Sequence, residues 1–90
     1  MSSDVNKTLD ERGERYGKFR HHAELSQQLK QAMKKKATWW ELSPSQQESL
    51  EMIANKIARI LNGDPNYADN WHDIAGYATL IDLQLQGDDK

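Results

Sequence analysis

The stretch SPSQQESLEMIANKIARILNG, Ser43–Gly63, decides the fold. Ser43 is a good N-cap, Pro44 suits the first helical position, and Gln46 completes a capping box. Leu50, Ile53, Ala54, Ile57, Ile60 and Leu61 recur at helical spacing and form one apolar stripe. Glu48, Met52, Asn55 and Arg59 fall on the opposite side, with Glu51 and Lys56 on the flanks. Gly63 supplies the stop just past the end. The spacing therefore predicts a helix from Pro44 to Leu61 or Asn62.

Beyond it, GDPN at Gly63–Asn66 reads as a turn. A second helix starts near Ala68–Asn70 and ends before Gly87. Ile74, Ala78, Ile81 and Leu85 form its narrow apolar stripe. Trp71 and Ala75 lie on one flank, broken by Asp82, while Tyr77, Leu80 and Leu83 widen the other. A helix apolar on more than one side predicts burial between a helix of its own chain and a second subunit. Gly76 weakens this helix by about 0.5–1 kcal/mol relative to alanine, so it predicts the close approach of a neighbour.

In the other direction, ATWWEL connects to an earlier helix. Trp39 and Trp40 read as cover for one end of the core, with ligand stacking as the other reading. The earlier helix runs from about Lys18 to Lys35. Phe19, Ala23, Leu25, Leu29, Ala32 and Met33 occupy half of its wheel, and its terminal lysines suit the helix dipole. Thr8–Glu11, TLDE, has the form of a capping box. Gly13 and Gly17 argue against a long first helix, and Tyr16-Gly17 reads as a bend. The predicted organisation is a disordered tail over 1–7, one all-α domain over 8–86 and a disordered tail over 87–90. The fold expected is a helical hairpin with a preceding helix, oligomerising into a four-helix-bundle-like core.

Composition narrows the function. Ninety residues with 37% hydrophobic content form one small domain, for which self-association is a natural source of stability. A net charge of −2 argues against nucleic acid, and KKK at Lys34–Lys36 reads as a solvated helix end. The absence of cysteine excludes disulfides and thiolate metal sites. No apolar run approaches the ~20 residues of a membrane span, and the N-terminal residues lack a signal-peptide pattern. The expected location is the cytoplasm, that of the host if the chain is phage-encoded.

The candidate chemistry lies on the last two helices. Asp69 and Asp73 share a helix face, and Asp69 reads either as an N-cap or as a ligand. Lys56 and Arg59 sit one turn apart on the preceding helix, and Arg59, although it starts from the side away from the apolar stripe, is expected to reach Asp69 or Asp73 if the helices are antiparallel. The bland reading is a register-fixing ion pair. The functional one is a phosphate or magnesium–phosphate site, with Arg59 as a bidentate fork. Glu48 and Glu51 add carboxylates three apart on the same helix as the cations. His72 and the His21-His22 pair show no zinc-ligand spacing.

RYGKF at Arg15–Phe19, KIARILNGD at Lys56–Asp64 and DNWHDIAGYATL at Asp69–Leu80 together resemble a family of small, mostly phage-encoded helical proteins of uncharacterised function. That family is distantly similar to MazG-like all-α nucleoside triphosphate pyrophosphohydrolases. The resemblance implies magnesium held by an E-x-x-E helix, here Glu48 and Glu51, and by an E-x-x-D helix, here matched at Asp73. Asn70 departs from that pattern where glutamate belongs, and Asp69 points about 100° away on a helix. A dimer or tetramer is also implied. The leading expectation is a nucleotide-handling protein. In its enzymatic form it releases pyrophosphate, with Glu48, Glu51, Asp69 and Asp73 as candidate ligands and Lys56 and Arg59 stabilising charge. The alternatives are a non-catalytic module that binds or sequesters a nucleotide, a host-defence signal included, with Tyr16, Trp39 or Trp40 on the base, or an oligomeric adaptor for a host protein.

Overall fold

A computed structural model describes residues 2–90, with side chains from Asp4 onward. It contains four α-helices and, among the described residues, no strand. They are α1 (Ser2–Tyr16), α2 (Phe19–Lys34), α3 (Pro44–Asn62) and α4 (Ala68–Leu85), with a 3₁₀ turn at Ala37–Glu41. No helix among the described residues is long and apolar enough to cross a membrane.

The start of α3 is as its sequence dictates. Gln46 donates its amide to the Ser43 hydroxyl and accepts the Ser43 amide on Oε1, closing the capping box. The Thr8 box does not form. Thr8 lies inside α1, and its hydroxyl donates to the Asp4 carbonyl at 3.0 Å, bonding back one turn instead of capping forward. α1 passes through Gly13 without a break, and its described residues begin at Ser2, ahead of the Thr8 start read from the sequence. Met1 lies outside the described residues.

α3 is the middle helix, packed between α2 and α4. Its register shows which edge meets which neighbour. Glu51 pairs with Lys34 of α2 at 3.6 Å, and Ala54, Ala58 and Asn62 share that edge. Ala54 and Ala58 are buried, and their small side chains let α2 come close. On the other edge, Ser49 donates to the Tyr77 carbonyl of α4 at 2.9 Å, and Lys56 and Ile60 are buried beside it. Both contacts run antiparallel.

The predicted stripe on α3 is therefore buried at its edges more than at its centre. Leu50 and Leu61 are exposed, Leu61 by 68 %, and Ile53 and Ile57 are only half covered. Ala78, Ile81 and Leu85 of α4 continue this open apolar side by helical register. At the far end Trp39 is buried, whereas Trp40 is 69 % exposed and donates its indole N–H to the Lys34 carbonyl at the end of α2. Only one of the two tryptophans covers the core. Gly76 faces open space, so no neighbour within this chain explains it.

Candidate functional site

Two glycine turns interlock at one end of the molecule. Gly17, between α1 and α2, has φ +77°, a conformation that favours glycine, and a Cβ there would overlap the Asn62 carbonyl. Gly63, at the end of α3, lies so close to Arg15 and Tyr16 that a Cβ would overlap their backbone. Gly63 is thus required by contact, since its φ of −131° is not the left-handed stop expected from the sequence. The Asn62 amide donates to the carbonyls of Tyr16 and Lys18 at 2.9 and 3.1 Å, and the Asp64 amide donates to Arg15 at 2.6 Å. The bonds to Arg15 and Tyr16 satisfy chain-end carbonyls that α1 leaves free and, with the one to Lys18, fasten the α1–α2 turn to α3.

Beside this clamp is a cavity of about 410 Å³, lined by Leu9, Arg12, Gly13, Tyr16, Gly17, Lys18, Phe19, His22 and Arg59. The lining holds three permanent cations, one histidine and two aromatic rings, and no carboxylate. Arg59 is half-buried, with its guanidinium 4.4 Å from the centre of the Tyr16 ring. Tyr16 in turn meets Tyr67 edge-on at 6.2 Å. Among the described residues, no salt bridge reaches Arg12, Lys18 or Arg59. Phe19, one of the lining residues, is 79 % exposed.

The residues singled out from the sequence divide between this pocket and other places. Tyr16 and Arg59 line it together, while Trp39, Trp40 and Lys56 do not. Lys56 is buried and reaches Asp73 at 3.1 Å, whereas the expected pairing of Arg59 with Asp69 or Asp73 does not form among the described residues, because Arg59 is turned toward Tyr16. Asp69 is not the N-cap of α4, a position Tyr67 occupies; it accepts the Tyr67 hydroxyl at 2.9 Å. That bond to a carboxylate raises the Tyr67 pKa. Glu51 is held by Lys34, and Glu48 is exposed. Among the described residues no three His, Cys, Asp or Glu side chains gather as a metal site would need, so within one chain Glu48, Glu51, Asp69 and Asp73 do not fit a magnesium centre. Asn70 is 1 % exposed, and its side-chain amide nitrogen has no hydrogen-bond partner among the described residues.

A comparison with protein-family models matches residues 3–84 to a domain of unknown function, DUF6378. The chain belongs to the DUF6378 family. No match was found among curated proteins or solved structures. The clamp, the pocket and the Lys56–Asp73 pair all lie within the matched DUF6378 region. Four pocket residues of this DUF6378 chain, Arg12, Lys18, Phe19 and His22, were absent from the sequence-derived set. The usable signal was the density of basic residues in RGERYGKFRHH, where Arg12, Arg15, Lys18 and Arg20 crowd around a glycine turn.

Proposed function

We propose that this protein binds a nucleotide, with its phosphates among Arg12, Lys18 and Arg59. The observation that carries the reading is Arg59, a half-buried guanidinium with no carboxylate partner among the described residues, facing a cavity whose lining has no acid. Burying charge without a counter-ion is costly, and a bound phosphate removes that cost through charge-assisted hydrogen bonds. The cavity volume falls within the range of ~300–1,000 Å³ typical of small-molecule pockets. Arg59 already covers one face of Tyr16, so stacking on the base falls to Phe19.

Self-association belongs to the same proposal. The open side formed by Leu50, Ile53, Ile57 and Leu61 supports pairing with a second copy into a bundle. A Leu61→Glu variant is then expected to lower the mass seen by light scattering; an unchanged mass argues against this face. Turnover in the manner of the MazG-like enzymes needs carboxylates that one chain does not bring together, so the geometry favours binding over hydrolysis.

A thermal-shift series with nucleoside mono-, di- and triphosphates, with and without magnesium, on wild type and Arg59→Ala tests the proposal. Stabilisation by a nucleotide that vanishes in Arg59→Ala supports it. Magnesium-dependent release of pyrophosphate would establish the enzymatic form instead. A chain indifferent to every nucleotide would remove the nucleotide reading and leave the adaptor.

A further inference from the structure

His22 opens onto the same pocket from the first turn of α2 and is 7 % exposed. Its Nδ1 has no hydrogen-bond partner among the described residues, which is uncommon for a buried polar atom. The charged groups around it are all of one sign. Arg12 of α1, Lys18 beside the turn and Arg59 of α3 share its pocket, and Lys30 of α2 and Lys56 of α3 add their fields. Of these, among the described residues, Lys56 alone has a carboxylate partner, Asp73 of α4. Burial first, then Arg59, Lys30 and Lys56, hold the His22 pKa below its ordinary value. The free protein therefore favours the neutral ring. An anion entering the pocket reverses the local field and offers an acceptor to a ring nitrogen.

We propose that His22 is an anion-binding residue of this pocket and takes up a proton when a phosphate-bearing ligand arrives. The proposal rests on the nucleotide-binding reading above and adds a protonation step to it. Neutral His22 leaves the other cations less crowded in the free state, and charged His22 donates to phosphate in the bound state. By linkage, affinity rises as the pH falls, by up to about tenfold per pH unit between the free and bound pKa values of the ring.

The test follows the His22 ring by NMR against pH, free and with saturating ADP or inorganic pyrophosphate. The exposed His21 and His72 rings serve as internal controls. The expected result is an upward shift of the His22 midpoint on binding. Calorimetry in parallel should give an affinity that steepens toward low pH more in wild type than in His22→Asn. Comparing the two variants cancels the titration of the ligand's own phosphate. An unmoved His22 midpoint under saturating ligand overturns the proposal while leaving the nucleotide reading intact. Equal pH slopes in the two variants overturn it as well. Failure of both ligands to bind at any pH overturns the proposal, and the nucleotide reading falls with it if the thermal-shift series also finds no nucleotide that binds.

Discussion

Lys56 and Arg59 lie one turn apart on the same helix, yet their surroundings differ in the one respect that decides their use. Lys56 sits on the edge facing α4 and finds Asp73 at 3.1 Å. Arg59 is turned by about 60° from it. It finds the Tyr16 ring and a cavity without an acid. A buried cation with a carboxylate is a structural element, because its field is already cancelled. A half-buried cation that rests only on an aromatic face keeps most of its field for a ligand. From the sequence both side chains had the same charge-stabilising role, and the functional candidate is the one that failed to find the expected partner.

The largest way to break this contrast is Gly63→Ala. Its Cβ would enter space held by the backbone of Arg15 and Tyr16, which cannot move aside cheaply. The expected loss is about 3 kcal/mol in urea unfolding, at the upper end for overpacking. Hydrogen exchange should report α1 detached while the α3–α4 contact around Lys56 stays protected. Equal exposure of both regions would show that the pocket and the ion pair are not separable.

Asp73→Ala strikes the other member. It strands the Lys56 charge, and because Asp73 is itself half-exposed the expected cost is about 2 kcal/mol, below the ~3–5 kcal/mol of a fully buried pair. Adding Lys56→Met should recover most of that loss. A double variant as unstable as the single one would contradict a purely structural role.

Arg59→Ala is expected to lose only about 1 kcal/mol of stability, the worth of a partly desolvated cation–π contact. Its effect on ligand should be larger, about tenfold or more in Kd, since a charge-assisted bond is worth ~1.5–3 kcal/mol. A stability loss as great as that of Asp73→Ala would erase the distinction between the two cations.

The smallest effect is that of pH. Because the folded His22 pKa lies below the ordinary 6.5, the unfolded chain binds more protons between those two values. The His22 contribution is thus fully favourable above pH 6.5 and weakens as the pH falls through that window. His22→Asn should flatten this dependence in denaturant titrations repeated across the range.

Much of the helical layout was legible. Ser43, Pro44 and Gln46 fixed the start of α3, because capping bonds join residues close in sequence; its end fell at Asn62 as read, although contact with α1 is what requires glycine at Gly63. The extent of α1 was less legible. Thr8 can cap forward or bond back one turn, and only the surrounding chain selects. The stripe on α3 misled for a different reason. Periodicity identifies one apolar face, but a middle helix has two neighbours, so Ser49 and Lys56 are buried while Leu61 is not.

The site divides along the same line. Tyr16 and Arg59 stood out by residue type and belong to one pocket, whereas Trp39, Trp40 and the four carboxylates shared chemistry without sharing a place. The sequence by itself determined where α2, α3 and α4 begin and end, that the fold is all-α, and which side chains carry charge. Tertiary structure alone decided which charges meet, because Gly17 and Gly63 bring α1 against α3 across 46 positions between Tyr16 and Asn62. Capping and periodicity act over one or two helical turns, whereas charge compensation depends on distances of a few ångströms between segments remote in the chain.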